Sequence, residues 1–292
     1  MSQEHTTGLP SETPETAHAE ALRTEAPRAD CTVDGDGRLV VRVKMAAPSS
    51  QPQPQLLLRL RPPKGKPEEI THVAALEPVG EGHRQAALEP SPAFAEGRWD
   101  AYLLSGPGAP RQRLRPGMRD LRALVKPPGS ALPTRPLAVR IPYATVDGYL
   151  AVRAWLRTSH AEAGSIRVTA RTMTVRARLI GAELGAGATA LLRRRGKDDT
   201  VREVELTAEG DHDFSFTADY RDLLSAREGG PGAWDVFVRP TAGASRVRVA
   251  RLLDDLADRK KVFVYPATTL DGLSARPYYT VNNDLAVEVT AV

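Results

Sequence analysis

The stretch PGAWDVFVRPTAGASRVRVA (residues 231–250) decides the reading of this chain. In WDVFV, Trp234, Val236 and Val238 fall on one side of an extended backbone and Asp235 and Phe237 on the other, because successive side chains of a strand point to opposite faces. In SRVRVA, Val247 and Val249 alternate in the same way with Arg246 and Arg248. A stretch bearing Pro240 and Gly243 lies between them, so the segment reads as two half-buried strands joined by a turn. Earlier in the chain, EGRWDAYLLSGPGAPRQRLR (96–115) carries nearly the same pattern.

The two stretches belong to a longer correspondence. Residues 97–152 laid on residues 232–287 without a gap agree at 18 of 56 positions, where chance in so biased a composition gives roughly four or five. The agreement pairs Trp99 with Trp234, Asp100 with Asp235, Arg111 with Arg246 and Arg113 with Arg248. It ends in PYATVDGYLAV (142–152) over PYYTVNNDLAV (277–287), which pairs Tyr143 with Tyr278 and Leu150 with Leu285. With gaps it extends upstream, where GRLVVRVK and TMTVRARL read as equivalent first strands. An offset of 135 residues is far longer than a solenoid unit, so this is a duplicated domain.

Each copy reads as all-β. Leu39–Val43, Leu56–Leu60, Ile70–Leu76, Arg84–Leu88, Trp99–Leu104 and Arg111–Arg115 are short, often alternating, and bounded by Pro, Gly or Asp. Six or seven such strands with turns every 8 to 12 residues predict an Ig-like β-sandwich lacking the disulfide. The expected organisation is a disordered acidic tail (1–30) and two tandem Ig-like sandwiches (31–156 and 165–292), joined at RTSHAEAGS (157–165). Helical patterning is confined to FTADYRDLLSAR and RLLDDLADRKK. Trp99 and Trp234 are the expected large inward residue of each core.

Composition bounds the function. The chain has 292 residues, 41% of them hydrophobic and 26% charged, as in globular proteins. No run of about 18 apolar residues suggests a membrane span. The N-terminus has neither a basic start nor an apolar stretch, so the expected compartment is the cytoplasm. Residues 1–30 carry six acids and two bases, and the remainder is correspondingly basic. That positive charge is mostly arginine, in a composition rich in Ala, Gly and Pro, which weakens any inference to a nucleic-acid partner. Aromatic content of 5% gives no stacking platform for single strands.

No catalytic motif stands out, and no metal or cofactor is expected. The six histidines never pair at ligand spacing. DGDG (34–37), VDG (146–148) and GDHDF (210–214) read as turns rather than ion loops. Cys31, the single cysteine, reads as a bystander thiol. The basic runs RLRPPKGK (59–66), LLRRRGK (191–197) and RVRVAR (246–251) are either solvated strand faces or a cationic face for a phosphate polymer. Arg111, Arg113, Arg246 and Arg248 are its candidate binding residues. Trp155, where the second copy has Thr290, serves either inter-domain packing or a sugar-stacking surface.

The ending RPYYTVNNDLAVEV, together with the Trp-Asp strand and the arginine strand after it, resembles β-sandwich modules appended to glycosyltransferases and CDP-glycerol-type glycerophosphotransferases of actinobacteria, which build teichoic-acid-like wall polymers. Tyr278, Thr280, Asn283, Asp284, Leu285 and Val287 match their closing segment. Tyr143, Thr145, Gly148, Leu150 and Val152 match it in the first copy, where Tyr149 replaces the Asn/Asp. The parallel βα alternation of a nucleotide-binding transferase domain is missing. The resemblance therefore implies a non-catalytic accessory module that binds wall polymer or docks a transferase. The alternatives are a transferase of the same pathway and a general protein-interaction scaffold.

Overall fold

The structure, a computed structural model, describes residues 26–45, 53–65, 67, 70–80, 82–106, 108–125, 136–196, 200–224, 231–270 and 272–292. The first repeat contains β1 (Arg28–Val33), β2 (Leu39–Lys44), β3 (Gln55–Leu60), β4 (Thr71–Ala75), β5 (Glu77–Pro78), β6 (His83–Leu88), β7 (Gly97–Leu104), β8 (Gln112–Arg113), β9 (Arg115–Asp120), β10 (Leu137–Ala144) and β11 (Leu150–Arg157). The second contains β12 (His160–Val168), β13 (Thr172–Ile180), β14 (Thr189–Arg194), β15 (Val201–Ala208), β16 (Asp213–Asp219), one helical turn α1 (Tyr220–Leu224), β17 (Gly232–Arg239), β18 (Val247–Ala250), β19 (Thr268–Leu270), β20 (Leu273–Tyr279) and β21 (Leu285–Ala291). A 3-10 turn, Arg122–Leu124, is the other helical piece among the described residues.

The duplication is carried by backbone pairing as well as by sequence. Trp99 lies opposite Val152 as Trp234 lies opposite Val287, and Tyr102 opposite Arg113 as Phe237 opposite Arg248. Every one of these pairs is displaced by the same 135 residues. Alternation does the rest. Trp234, Val236 and Val238 point into one core with Phe214, Val175 and Val287, while Trp99, Leu103, Val41 and Leu58 fill the other. Each tryptophan is 2% exposed, as the alternating pattern requires.

The all-β expectation holds, but the sheets are not two open faces of an Ig-like sandwich. In the second repeat β15 pairs with β14 through Val201–Glu205 and with β16 through Leu206–Ala208. At the opposite edge β18 pairs antiparallel with β17 and parallel with β12. Seven strands, β14-β15-β16-β13-β12-β18-β17, therefore form a ring that closes where β17 meets β14, with β21, β20 and β19 continuing outward from β17. A strand that crosses between sheets satisfies edge N–H and C=O groups that an open sandwich leaves to solvent. The first repeat makes the same crossings with one-residue breaks. Leu76 separates β4 from β5 and Leu114 separates β8 from β9, both fully buried. Their N–H groups donate to Pro54 O and Ala101 O.

Four further expectations change. GRLVVRVK and TMTVRARL are second strands, since β1 and β12 precede them. The segment 157–165 is largely β12 rather than a join, and only Thr158 and Ser159 separate β11 from β12. Its Ala161 and Ala163 are core residues whose small side chains leave a weak apolar signal. At the N-terminus β1 starts at Arg28, inside the expected tail; residues 1–25 lie outside the described residues. Finally, RLLDDLADRKK forms no helix. There the buried Arg259 donates to Arg251 O and pairs with Asp254. In FTADYRDLLSAR the helix is the single turn α1, and residues 225–227 lie outside the described residues.

Candidate functional site

The aspartate of each Trp-Asp pair sits on the outer face of its strand, where the same alternation that buries tryptophan directs it. In the first repeat Asp100 is nevertheless 3% exposed, because arginines from neighbouring strands close over it. Arg61 donates through Nε (3.0 Å) and Nη2 (2.7 Å), Arg59 through Nη2 (3.3 Å) and Arg113 through Nη2 (3.4 Å). The bond to Asp100 raises the Arg61 guanidinium above its ordinary value. Arg113 also lies 4.0 Å above the Tyr149 ring and pairs with Asp147 at 2.9 Å.

In the second repeat the equivalent Asp235 accepts from Arg195 Nε at 3.0 Å and faces Arg248 at 3.7 Å. Arg195 reaches the Tyr278 hydroxyl as well (3.2 Å). Position 284, which corresponds to Tyr149, holds an aspartate that extends the network. Asp284 pairs with Arg248 (3.6 Å) and with Arg157 of the first repeat (3.1 Å), and Arg157 pairs with Glu96 (3.2 Å). Burial pushes the Asp284 carboxyl upward while Arg157 and Arg248 oppose it. These six charged groups, with Thr280, Val281 and Asn282, line a cleft of about 480 Å³ between the repeats.

The cleft exists because one turn of the second repeat docks on β11 of the first. Asn282 Oδ1 accepts from Arg153 Nη2 (2.7 Å), Asn282 O accepts from the Trp155 indole N–H (3.2 Å), and Val281 O accepts from Arg98 (3.4 Å). Beneath these bonds Leu137, Val139, Ile141 and Trp155 pack on Ala250 and Leu252. Asn283, at φ +60°, holds the turn with two side-chain bonds, to Leu256 O (3.0 Å) and from Arg259 N (3.2 Å). Its counterpart Gly148 has φ +78°. The left-handed conformation is one that glycine and asparagine tolerate best.

Trp155 is 1% exposed, so it serves the inter-repeat packing and offers no ring face to a sugar. Arg111 and Arg246 are exposed, and Arg246 lies 5.7 Å from the Phe237 ring. Arg113 and Arg248 are not a free cationic face but members of the two carboxylate networks. Tyr143 and Tyr278 are half-buried; Leu150 and Leu285 are core residues. Arg59, Arg61 and Arg195 came from basic runs visible in the sequence. Arg157 and Glu96 did not, and only the position of Arg157 two residues beyond Trp155, on the same side of the strand, hinted at it. The turn readings hold for 34–37, where Asp34 Oδ1 accepts from the N–H of Asp36 and Arg38, and Asp213 pairs with Arg178. Cys31 sits inside β1, where burial pushes its thiol up to about 12.

No family model and no curated protein matches the chain. Among solved structures it is similar to S. aureus TarS, at 15% identity and a TM-score of 0.37 over 56% of this chain and 29% of that one. It is also similar to a 217–571 fragment of S. aureus TarS, at 13% identity and a TM-score of 0.30 over 65% of this chain and 54% of that one. The matches thus span less than a third of the first structure and about half of the second.

Proposed function

We propose that this chain is a non-catalytic binding module associated with a glycosyltransferase or glycerophosphotransferase of wall-polymer synthesis, and that its junction cleft takes a hydroxyl-rich segment of the polymer. The observation that carries the reading is the cleft lining: Arg157, Arg195 and Arg248 interleaved with Glu96, Asp235 and Asp284. Guanidiniums supply forked donors and carboxylates supply paired acceptors, the combination that satisfies adjacent hydroxyl groups, each both donor and acceptor. Because these groups already hold one another, little side-chain freedom is lost on binding. The closing segment's resemblance to transferase-associated modules supports the pathway assignment.

Ligand-observed NMR on the full chain tests this with a neutral glycosylated polyol, CDP-glycerol and a set of nucleotide sugars. Saturable binding of the polyol is expected, weakened about tenfold in Arg195→Ala through loss of one charged donor. Absence of saturation by the polyol overturns the cleft assignment. Saturable binding of CDP-glycerol or a nucleotide sugar replaces it with a transferase.

A further inference from the structure

The two repeats differ at one cross-strand pair, and there the first repeat carries charge that its fold does not ask for. Arg98 of β7 lies directly opposite Arg153 of β11. Both side chains stand on the outer face of the sheet, because they alternate with the buried Trp99 and Val152. The Arg98 carbonyl accepts from Arg61 N on its far side (2.8 Å). Arg98 and Arg153 are therefore a pair without backbone hydrogen bonds between them, the closer kind, at about 4.5 Å between Cα atoms. Like charges set directly opposite one another destabilise strand pairing. At the equivalent position the second repeat sets Ala233 against Glu288, and Glu288 pairs with Arg276 at 2.8 Å. The same strands thus pair without two arginines.

We infer that Arg98 and Arg153 form a site for a doubly charged tetrahedral oxyanion, free phosphate or a phosphomonoester, beside the junction of the repeats. Among the described residues neither guanidinium has a carboxylate partner. Arg98 donates to Val281 O (3.4 Å) and Arg153 to Asn282 Oδ1 (2.7 Å), both neutral acceptors. Arg153 is 5% exposed, and its buried Nε has no acceptor. Burial first, and then the charge of Arg98, hold the Arg153 guanidinium below its ordinary value. Glu96 and Asp284 act on it only from a distance, since both are already paired with Arg157, on the other side of Trp155. A buried cation without a counter-ion is costly, and an anion that meets both guanidiniums offsets the desolvation of one and the repulsion between the two. Two opposed cations match a dianion. Two forks on different strands need a group with more than one pair of oxygens, which a tetrahedral oxyanion has and a carboxylate lacks. Tyr143, opposite Ala151 on the same face, sits diagonal to Arg153 and adds a hydroxyl within side-chain reach. The site does not rest on the reading of the cleft.

Thermal unfolding of the full chain at mildly alkaline pH tests the assignment, with inorganic phosphate, ethyl phosphate or acetate replacing chloride at fixed ionic strength. A midpoint that rises and saturates with phosphate is expected, because a ligand held only by the folded chain stabilises it. Arg98→Ala installs the residue that the second repeat carries. It should weaken the phosphate response about tenfold or more, while its midpoint in chloride alone does not fall, because one of two opposed charges is gone. A lost response at undiminished stability cannot come from misfolding. Arg153→Gln should lose the response as well, and Arg195→Ala, in the cleft, should keep it. A tighter response to ethyl phosphate than to phosphate makes a phosphomonoester the source of the group, and the opposite order makes it free phosphate. Equal responses in wild type and Arg98→Ala, or a midpoint that never saturates, overturn the site. A lower midpoint for Arg98→Ala in chloride alone overturns it too, since the pair would then serve the fold. Acetate acting as strongly as phosphate overturns the tetrahedral class.

Discussion

At the scale of single residues, the Trp-Asp pair does two jobs through one alternation. Trp234 and Trp99 each fill the middle of a barrel, and the Trp99 indole N–H donates to Ala95 O at 3.0 Å, so its polar atom is satisfied where it is buried. Truncating either leaves a large cavity in a core already lined by close-packed aliphatic residues. Trp99→Ala and Trp234→Ala should each cost about 3–5 kcal/mol, read as a shifted urea midpoint with an unchanged slope. The adjacent aspartates, one residue away and facing outward, instead set the positions of arginines. One signature thus fills the core and positions the outer arginines, and the two roles are separable by substitution at successive positions.

At the scale of elements, the turn Thr280–Asp284 decides how the two halves meet. It presents its own carbonyls and the Asn282 amide to β11, and its conformation depends on Asn283 holding a positive φ. Asn283→Gly keeps the backbone but loses the bonds to Leu256 and Arg259; Asn283→Ala loses both the bonds and the backbone preference. The alanine variant should therefore be less stable than the glycine variant by about 1 kcal/mol. Thermal unfolding of the two proteins side by side checks the order, and the reverse order would mean that the turn relaxes out of its left-handed conformation. The crossing strands act at the same scale. By passing from one sheet to the other, β15 and β18 turn two sheets into a ring and leave the outer arginines on continuous strand faces.

At the scale of the whole molecule, two barrels are coupled by an apolar contact capped with hydrogen bonds. Leu137, Val139, Ile141 and Trp155 on one side meet Ala250 and Leu252 on the other. Wild-type protein should unfold in a single transition, because losing either barrel exposes that surface. Trp155→Ala should lower stability by about 3–5 kcal/mol and separate two transitions, seen when intrinsic fluorescence and far-UV circular dichroism no longer coincide. Coincident curves in the variant would show that each barrel depends on the other through more than this contact. The coupling also bears on the proposed binding role, since the cleft is built from both barrels and would lose Arg157 and Glu96 if they parted.

The sequence by itself determined the duplication, the all-β class, the inward tryptophans and most strand positions, because these follow from periodicity and from residues repeated at a constant offset. The face carrying Arg246 and Arg248 was also legible, since alternation alone sets it. What only the tertiary structure decided were the features that depend on strands distant in the chain. Closure of the sheets into a ring rests on which strands cross an edge, and β12 announces itself weakly because its core residues are alanines. The ion-pair partners of Arg113 and Arg248 come from other strands and from turns, and Asp284 takes its own partners from both repeats at once. No local pattern records that Asp284 meets Arg157, 127 residues away. Periodicity is a property of neighbouring residues, whereas charge pairing is a property of where the folded chain brings them.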